Sequence, residues 1–152
     1  MRKRPKSLPI PQEKRPRAET PPGDEKRPRA IEPGVMSQTP LWSLSIIDLD
    51  GPFAWSRFDG AGIVELLQRL RSYESMTWGE IEGAESHFVE RDQCCKEARD
   101  RLVELRQDDV DTLFSFRISG RKRVWGIRDG RVLRLLWWDP EHRVSPSRKK
   151  HT

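Results

Sequence analysis

The spacing of hydrophobic positions changes along the chain, and each spacing predicts a different element. The stretch L-W-S-L-S-I-I-D-L-D, from Leu41, is apolar and ends at a D-G-P-F turn, which predicts an N-terminal strand. Apolar residues at i, i+3, i+4 and i+7 then predict a helix that Asp59 can cap. Its apolar stripe consists of Ile63, Leu66, Leu67 and Leu70.

Two further helices are predicted between this helix and residue 107. Thr77 and Glu80 have the spacing of a capping box, which predicts a short helix around residues 78–81. A third helix is predicted over roughly residues 93–107, with interleaved charges on its exposed side. The residues on its apolar face are Cys95, Ala98, Leu102 and Leu105.

From residue 114 the period of the pattern becomes two. Phe114, Phe116 and Ile118 alternate with Ser115 and Arg117, which predicts a half-buried antiparallel strand. The segments R-K-R-V-W-G-I-R and R-V-L-R-L-L-W-W follow, separated by S-G and D-G turns, and predict two more strands. The predicted fold is α+β: an N-terminal strand and two to three helices, packed on one face of an antiparallel sheet of three to four strands. This small domain is assigned to residues 39–152.

Residues 1–38 are predicted to be a disordered basic tail. The tail is rich in proline, and the motif E-K-R-P-R-A occurs twice, from Glu13 and from Glu25. Three interpretations remain open: a nucleic-acid tether or localisation signal built on the K-R-P triplets, a solvated tail without a specific role, or an upstream extension if translation begins at Met36.

Charge is distributed unevenly along the chain. The formal net charge is +5, with 29 Lys and Arg against 24 Asp and Glu. Residues 113–152 hold eleven basic and three acidic residues, whereas residues 37–112 hold eight basic and sixteen acidic ones. This segregation favours a polyanion-binding face near the C-terminus, with self-association through opposite charges as the alternative.

Several classes of protein have no support in the sequence. No apolar run approaches 18 residues and no signal peptide is recognisable, so a cytoplasmic location is expected. The adjacent Cys94 and Cys95 do not provide a disulfide framework, and they lack the C-x-x-C spacing of a zinc knuckle. Nucleotide-binding loops and hydrolase elbows are also missing, so neither a metal nor another cofactor is expected.

The basic residues of the second and third predicted strands are candidates for nucleic-acid binding. In a regular strand, Arg121 and Arg123 lie on one face and Lys122 on the other, and Arg128 follows on the same strand. Trp125 shares the Arg123 face, which would suit base stacking. For Trp125, Trp137 and Trp138, however, we favour a role as large core residues.

The C-terminal segment adds the candidates for catalysis. His142 and His151 can exchange protons near neutral pH, and Lys149 and Arg123 can neutralise a phosphate. Arg148, Lys149 and Lys150 would extend the basic surface. Metal-free RNA cleavage requires a base, an acid and cations on the phosphate, and this set contains all three.

The order of elements and the stretch L-F-S-F-R-I-S-G-R-K-R-V-W-G-I-R-D-G-R-V-L-R-L-L-W-W-D-P-E-H resemble the RelE/ParE superfamily of small bacterial toxins. The ending P-E-H…P-S-x-K-K-H-T also resembles that of a group of short bacterial proteins. The first resemblance implies ribosome-dependent mRNA cleavage or gyrase inhibition, and a cognate antitoxin as partner. It assigns Arg121 and Arg123 to phosphate contacts and His142 with Lys149 to catalysis. The sole tyrosine, Tyr73, lies outside the C-terminal region, so His142 or His151 would take the role of a RelE-like tyrosine.

The sequence therefore predicts the toxin of a toxin–antitoxin pair that binds RNA or the ribosome and acts as an mRNA endoribonuclease. The alternative is a nucleic-acid-binding or adaptor protein without catalytic activity. The two differ in a simple property, because only the first leaves cleaved RNA ends.

Overall fold

Five strands form one mixed sheet in the computed structural model of the protein, which describes residues 34–83 and 85–146. The spatial order is β1-β5-β4-β3-β2. The pair β1–β5 is parallel, and the other three pairs are antiparallel. The strands are β1 Leu41–Ser43, β2 His87–Glu90, β3 Thr112–Ser119, β4 Lys122–Asp129 and β5 Val132–Asp139.

Four helices accompany the sheet, and two of them begin at the caps that the sequence predicted. The helices are α1 Gly34–Ser37, α2 Gly60–Tyr73, α3 Trp78–Ile81 and α4 Lys96–Glu104. The Asp59 side chain accepts a hydrogen bond from the backbone N–H of Gly62 at the start of α2. Thr77 and Glu80 form a complete capping box at the start of α3. The prediction of an α+β domain is confirmed.

Helices α2 and α3 cover one face of the sheet. They contribute Leu66, Leu70, Tyr73, Trp78 and Ile81 to a core with the inward side chains of β3, β4 and β5. The other residues of the predicted α2 stripe, Ile63 and Leu67, are 40% and 56% exposed. The stripe thus has a buried side and a solvent side.

The opposite face has its own core, so the sheet is covered on both faces and not on one. Ala98 and Leu102 of α4 pack there against Leu113, Trp125 and Trp137, among other residues. A partly buried ion pair joins this layer, because Arg101 Nη2 lies 2.8 Å from Oδ1 of the buried Asp48. The indole of Trp137 donates to the same carboxylate over 2.9 Å. The prediction of a half-buried strand over residues 114–118 missed this second layer.

A β-bulge interrupts the pairing of β4 with β5. Trp125 lies opposite Trp137, yet the next residue, Gly126, lies opposite Leu135, so Leu136 is the extra residue. The bulge turns the carbonyl of Leu136 out of the ladder, where it accepts from the backbone N–H of Asp48 and the indole of Trp55. Gly126 permits the close approach, because a Cβ atom there would lie 2.5 Å from the carbonyl oxygen of Arg134.

Several boundaries differ from the predictions. The N-terminal strand ends at Ser43, and the rest of the apolar stretch forms turns in which Leu44 is exposed. An edge strand, β2, occupies residues that lay between two predicted helices, and α4 spans Lys96–Glu104 instead of roughly residues 93–107. The predicted tail lies outside the described residues as far as residue 33, but Gly34–Ser37 is helical. Of these, β2 depends on its pairing with β3, which a local pattern does not reveal.

Within residues 34–83 and 85–146, every helix is too short or too polar to span a bilayer.

Candidate nucleic-acid interface

Two arginines face each other across the β3–β4 hairpin. Arg117 and Arg123 are direct cross-strand partners, on the same face of β4 as Trp125. The regular alternation that the sequence predicted for β4 is therefore confirmed, because Val124 and Trp125 belong to different cores. Like charges at directly opposed positions repel each other, so this pair favours an anion between or above the two side chains.

Within the described part of the chain, the two arginines differ in how their charge is balanced. Arg117 Nη1 lies 2.9 Å from Glu85 Oε1, but the buried Nε of Arg117 has no hydrogen-bond partner there. Arg123 Nη1 donates to the backbone carbonyls of Gly120 and Lys122, and no described carboxylate forms an ion pair with it. Burial, together with the charge of Arg117, lowers the pKa of Arg123, and the carboxylates of Glu85 and Asp139 oppose this shift. Arg117 is thus paired with Glu85, whereas Arg123 holds positive charge that an anion would stabilise.

His142 lies beside this pair because of the turn that follows β5. The carboxylate of Asp139 accepts hydrogen bonds from the backbone N–H groups of Arg143 and Val144 and from the indole of Trp125. This turn holds His142 at a φ of 60°, a left-handed conformation that costs a non-glycine residue about 1 kcal/mol. Residues in this conformation occur in turns as well as at functional sites, and Arg106, which follows α4, adopts the same φ.

The electrostatic environment of His142 favours its neutral form. Burial lowers the pKa of His142, and the positive charge of Arg123 lowers it further. His87 and Arg121 act in the same direction, whereas the carboxylate of Asp139 opposes them. These surroundings favour the neutral imidazole, which is the form that can accept a proton.

Sequence reasoning did not include Arg117 and His87 among the site residues. Arg117 was recognisable in principle, because a hairpin closed around Gly120 brings it opposite Arg123. His87 gave no such signal, because it lies on β2, a strand that the pattern did not predict. Its Nδ1 lies 3.1 Å from the carbonyl oxygen of Phe88, and donation there leaves Nε2 free for chemistry. We call Arg117, Arg121, Arg123, His87 and His142 the hairpin-end surface.

Arg121 and Lys122 differ in their surroundings. Arg121 is exposed and lies 3.3 Å from the exposed carboxylate of Glu141, which leaves it accessible at the edge of the hairpin-end surface. Lys122 points to the other face and lies 2.8 Å from Glu65, which also accepts a hydrogen bond from Ser119. The hydrogen bond to Glu65 and the charge of its carboxylate raise the pKa of Lys122, so its charge is held by a partner on α2.

Arg128 does not lie on the hairpin-end surface. Its side chain is only 7% exposed and forms an ion pair with Glu82 at 2.6 Å. The guanidinium lies 4.0 Å from the ring centroid of Trp78 and also contacts the rings of Phe88 and Phe114. Its position therefore suits packing between α3 and the sheet.

The other predicted residues divide in two groups. Trp125, Trp137 and Trp138 are buried, which confirms the prediction that they belong to the core. Arg148, Lys149, Lys150 and His151 lie outside the described residues. Across the part of the chain that the structure describes, no group of three or more His, Cys, Asp or Glu side chains is arranged to hold a metal ion.

Comparison with known proteins gave no relative. No protein-family model matches the chain, and no curated protein or solved structure matches it.

Proposed function

We propose that this protein binds single-stranded RNA through the hairpin-end surface and cleaves it without a metal ion, as the toxin of a toxin–antitoxin pair. The observation that carries the proposal is the opposed pair Arg117 and Arg123, with His142 beside it in surroundings that lower its pKa. A phosphodiester would relieve the repulsion between the arginines and bring its neighbouring ribose to the imidazole.

The reaction that fits these groups is attack by the ribose 2′-oxygen on the adjacent phosphorus. His142 accepts the 2′-hydroxyl proton as the new phosphorus–oxygen bond forms. The bond from phosphorus to the 5′-oxygen breaks, and the leaving oxygen takes a proton from water. The products are a 2′,3′-cyclic phosphate and a 5′-hydroxyl end. Arg117 and Arg123 stabilise the charge on the non-bridging oxygens.

A ribosome-dependent activity would place the mRNA on this surface during translation. The exposed Arg121, at the edge of the surface, suits a contact with a neighbouring phosphate. Binding that depends on several such contacts weakens steeply as salt increases. A flanking gene that encodes an acidic or DNA-binding antitoxin would agree with the toxin role.

The experiment is induced expression in bacterial cells, followed by mapping of RNA ends. The wild-type chain should arrest growth and leave new 5′-hydroxyl ends, and Arg123→Ala and His142→Ala should abolish both effects. Loss of a general base lowers the rate about 10² to 10⁴-fold. Arg71→Ala is the matched control, because Arg71 is exposed on α2, on the other side of the sheet.

The outcomes separate the proposal from its rivals. Salt-dependent RNA binding without new RNA ends would identify a binding or adaptor protein without catalysis. A DNA-damage response with intact mRNA would identify gyrase inhibition. Cleavage that persists in both site variants would overturn the assignment of the hairpin-end surface.

A further inference from the structure

A pocket of about 210 Å³ lies at the end of β5, next to the turn that carries His142. The stretch Pro52–Ala54 forms one wall, and Trp138 with Pro140 contributes the other. The walls are tied together, because the backbone N–H of Trp138 donates to the carbonyl of Phe53 over 3.1 Å. Pockets for whole small molecules usually measure roughly 300–1,000 Å³, so this one suits a single ring system.

The rim of this pocket carries two arginines. Arg57 Nη1 donates to the backbone carbonyl of Pro52 over 3.3 Å, and the guanidinium of Arg143 lies 5.1 Å from the ring centroid of Phe53. Arg143 also lies 3.6 Å from the exposed carboxylate of Glu97. Both guanidiniums retain donors that can meet acceptors on a flat ligand.

The rim also carries one available carboxylate. Asp139 lines the pocket, but its oxygens already accept from the Trp125 indole and two backbone N–H groups. Glu141 is exposed, and its contact in the described chain is Arg121 at 3.3 Å. Glu141 therefore stands between the pocket and the hairpin-end surface.

We propose that this pocket binds a guanine base. Guanine presents acceptors, O6 and N7, on one edge, which two arginines recognise well, and adjacent N–H donors at N1 and N2, which pair with one carboxylate. Adenine would direct its N6 donor group at arginines that cannot accept. Uracil offers a single donor and a smaller ring. The assignment of this pocket to the nucleotide beside the scissile phosphate rests on the proposed function, whereas guanine binding itself does not.

The first test uses guanosine 5′-monophosphate and adenosine 5′-monophosphate, which carry the same phosphate. The signal is the indole N–H resonance of Trp138 in the full chain labelled with ¹⁵N-tryptophan, assigned with Trp138→Phe. The guanine nucleotide should shift this resonance in a saturable manner, and the adenine nucleotide should shift it at least about tenfold less effectively. Equal shifts with both nucleotides, or none with either, would overturn the inference.

The second test compares Glu141→Gln with Glu104→Gln, an exposed glutamate on α4. Loss of the bidentate carboxylate contact should reduce the preference for guanine about tenfold, while the control keeps it. Near-equal preference in wild type and Glu141→Gln would overturn the role of Glu141. Circular dichroism verifies that both variants fold.

Short RNAs distinguish failure of the pocket from failure of the proposed function. We would measure binding of A-A-G-A-A, A-A-A-A-A and A-A-U-A-A by fluorescence polarisation. Tighter binding of the guanine-containing RNA supports the subsite. RNA binding without base preference overturns the guanine inference and leaves the proposed function intact. A Trp138 shift with the guanine nucleotide, without any RNA binding, supports the guanine site and overturns the RNA function.

Discussion

Strand β4 carries an arginine near each end, and the two ends differ in how the charge is balanced. Arg128 is enclosed by Trp78, Phe88 and Phe114 and is paired with Glu82. Arg123 lies opposite another arginine and donates to backbone carbonyls. The sequence treats these residues alike, as basic positions on one amphipathic strand. Their different surroundings come from α3 at one end and from the hairpin at the other.

The contrast teaches that an arginine near a basic cluster is not evidence of binding until its partners are known. A cation with a carboxylate and aromatic rings contributes to stability, whereas one opposed by a like charge costs stability. Unbalanced charge that a fold retains at a cost is a reason to look for a ligand.

The largest expected effect is the loss of stability on removing the enclosed arginine. Arg128→Ala leaves Glu82 without its partner and removes the contacts with the aromatic rings, so the free energy of unfolding should fall by about 3 kcal/mol. Arg123→Ala should leave the free energy of unfolding unchanged or slightly raised, because it removes repulsion from Arg117. Denaturation in guanidinium chloride measures both. Similar losses in the two variants would remove the contrast between the ends of β4.

A second balanced ion pair, Asp48 with Arg101, should make stability depend on acid pH. Burial opposes ionisation of Asp48, but hydrogen bonds from Arg101 and Trp137 outweigh it, and the pKa of Asp48 is lowered. A lowered pKa means that the unfolded chain takes up the proton first. The stabilisation is therefore complete above the usual pKa of aspartate and is lost as the pH falls through the folded value.

Asp48→Asn tests this dependence. It should reduce the free energy of unfolding by about 2 kcal/mol at pH 7, because Arg101 loses its charged acceptor. The difference between wild type and variant should shrink as the pH falls below about 4. Urea denaturation across this pH range measures the difference, and a constant difference would show that the ionised carboxylate is not the source of the stability.

The charge of Arg123, at the hairpin end of β4, should affect the titration of His142. Its pKa is lowered by burial first and by the charge of Arg123 next. Arg123→Gln should therefore move the pKa of His142 upward, toward the ordinary value for histidine, while Arg71→Gln leaves it in place. Proton NMR of the imidazole Cε1–H signals follows the titration. An unchanged pKa in Arg123→Gln would mean that the two side chains do not interact.

The smallest effect should come from Lys122. Its partner Glu65 is on α2, and both side chains are largely solvated. Solvated ion pairs contribute little to stability, so Lys122→Ala should shift neither the denaturation midpoint nor the affinity for RNA measurably. If Lys122→Ala weakened RNA binding as strongly as Arg123→Ala, the interface would have to extend around the hairpin to the α2 face.

Much of the fold was predictable because its local signals are strong. The caps at Asp59 and Thr77 lie where the sequence placed them, and the S-G and D-G turns join β3, β4 and β5 as expected. The core on the second face of the sheet was not predictable from the alternation of apolar and polar residues. It is built by residues distant in sequence, such as Phe53 and Val144, whose contacts depend on the finished fold.

The candidate site was predicted only in part. Arg121, Arg123 and His142 were identified from their chemistry, and the structure brings them to one end of the sheet. The enclosed position of Arg128 could not be predicted, because it depends on the rings that α3 and β2 place around the guanidinium. The position of His87 could not be predicted either, because it depends on the edge strand β2, which is four residues long and carries no period-two signal.

The bulge in β5 has a consequence for how the molecule opens. The displaced carbonyl of Leu136 accepts hydrogen bonds from the backbone N–H of Asp48 and the indole of Trp55. The carbonyl of Phe53 accepts a third from the backbone N–H of Trp138. Residues 44–58 contain little regular structure, so these bonds, together with the contacts of Asp48 with Arg101 and Trp137, fasten the stretch to the sheet. Amide exchange along it should report one cooperative opening event, and that event would release a wall of the pocket while β3 and β4 remain protected.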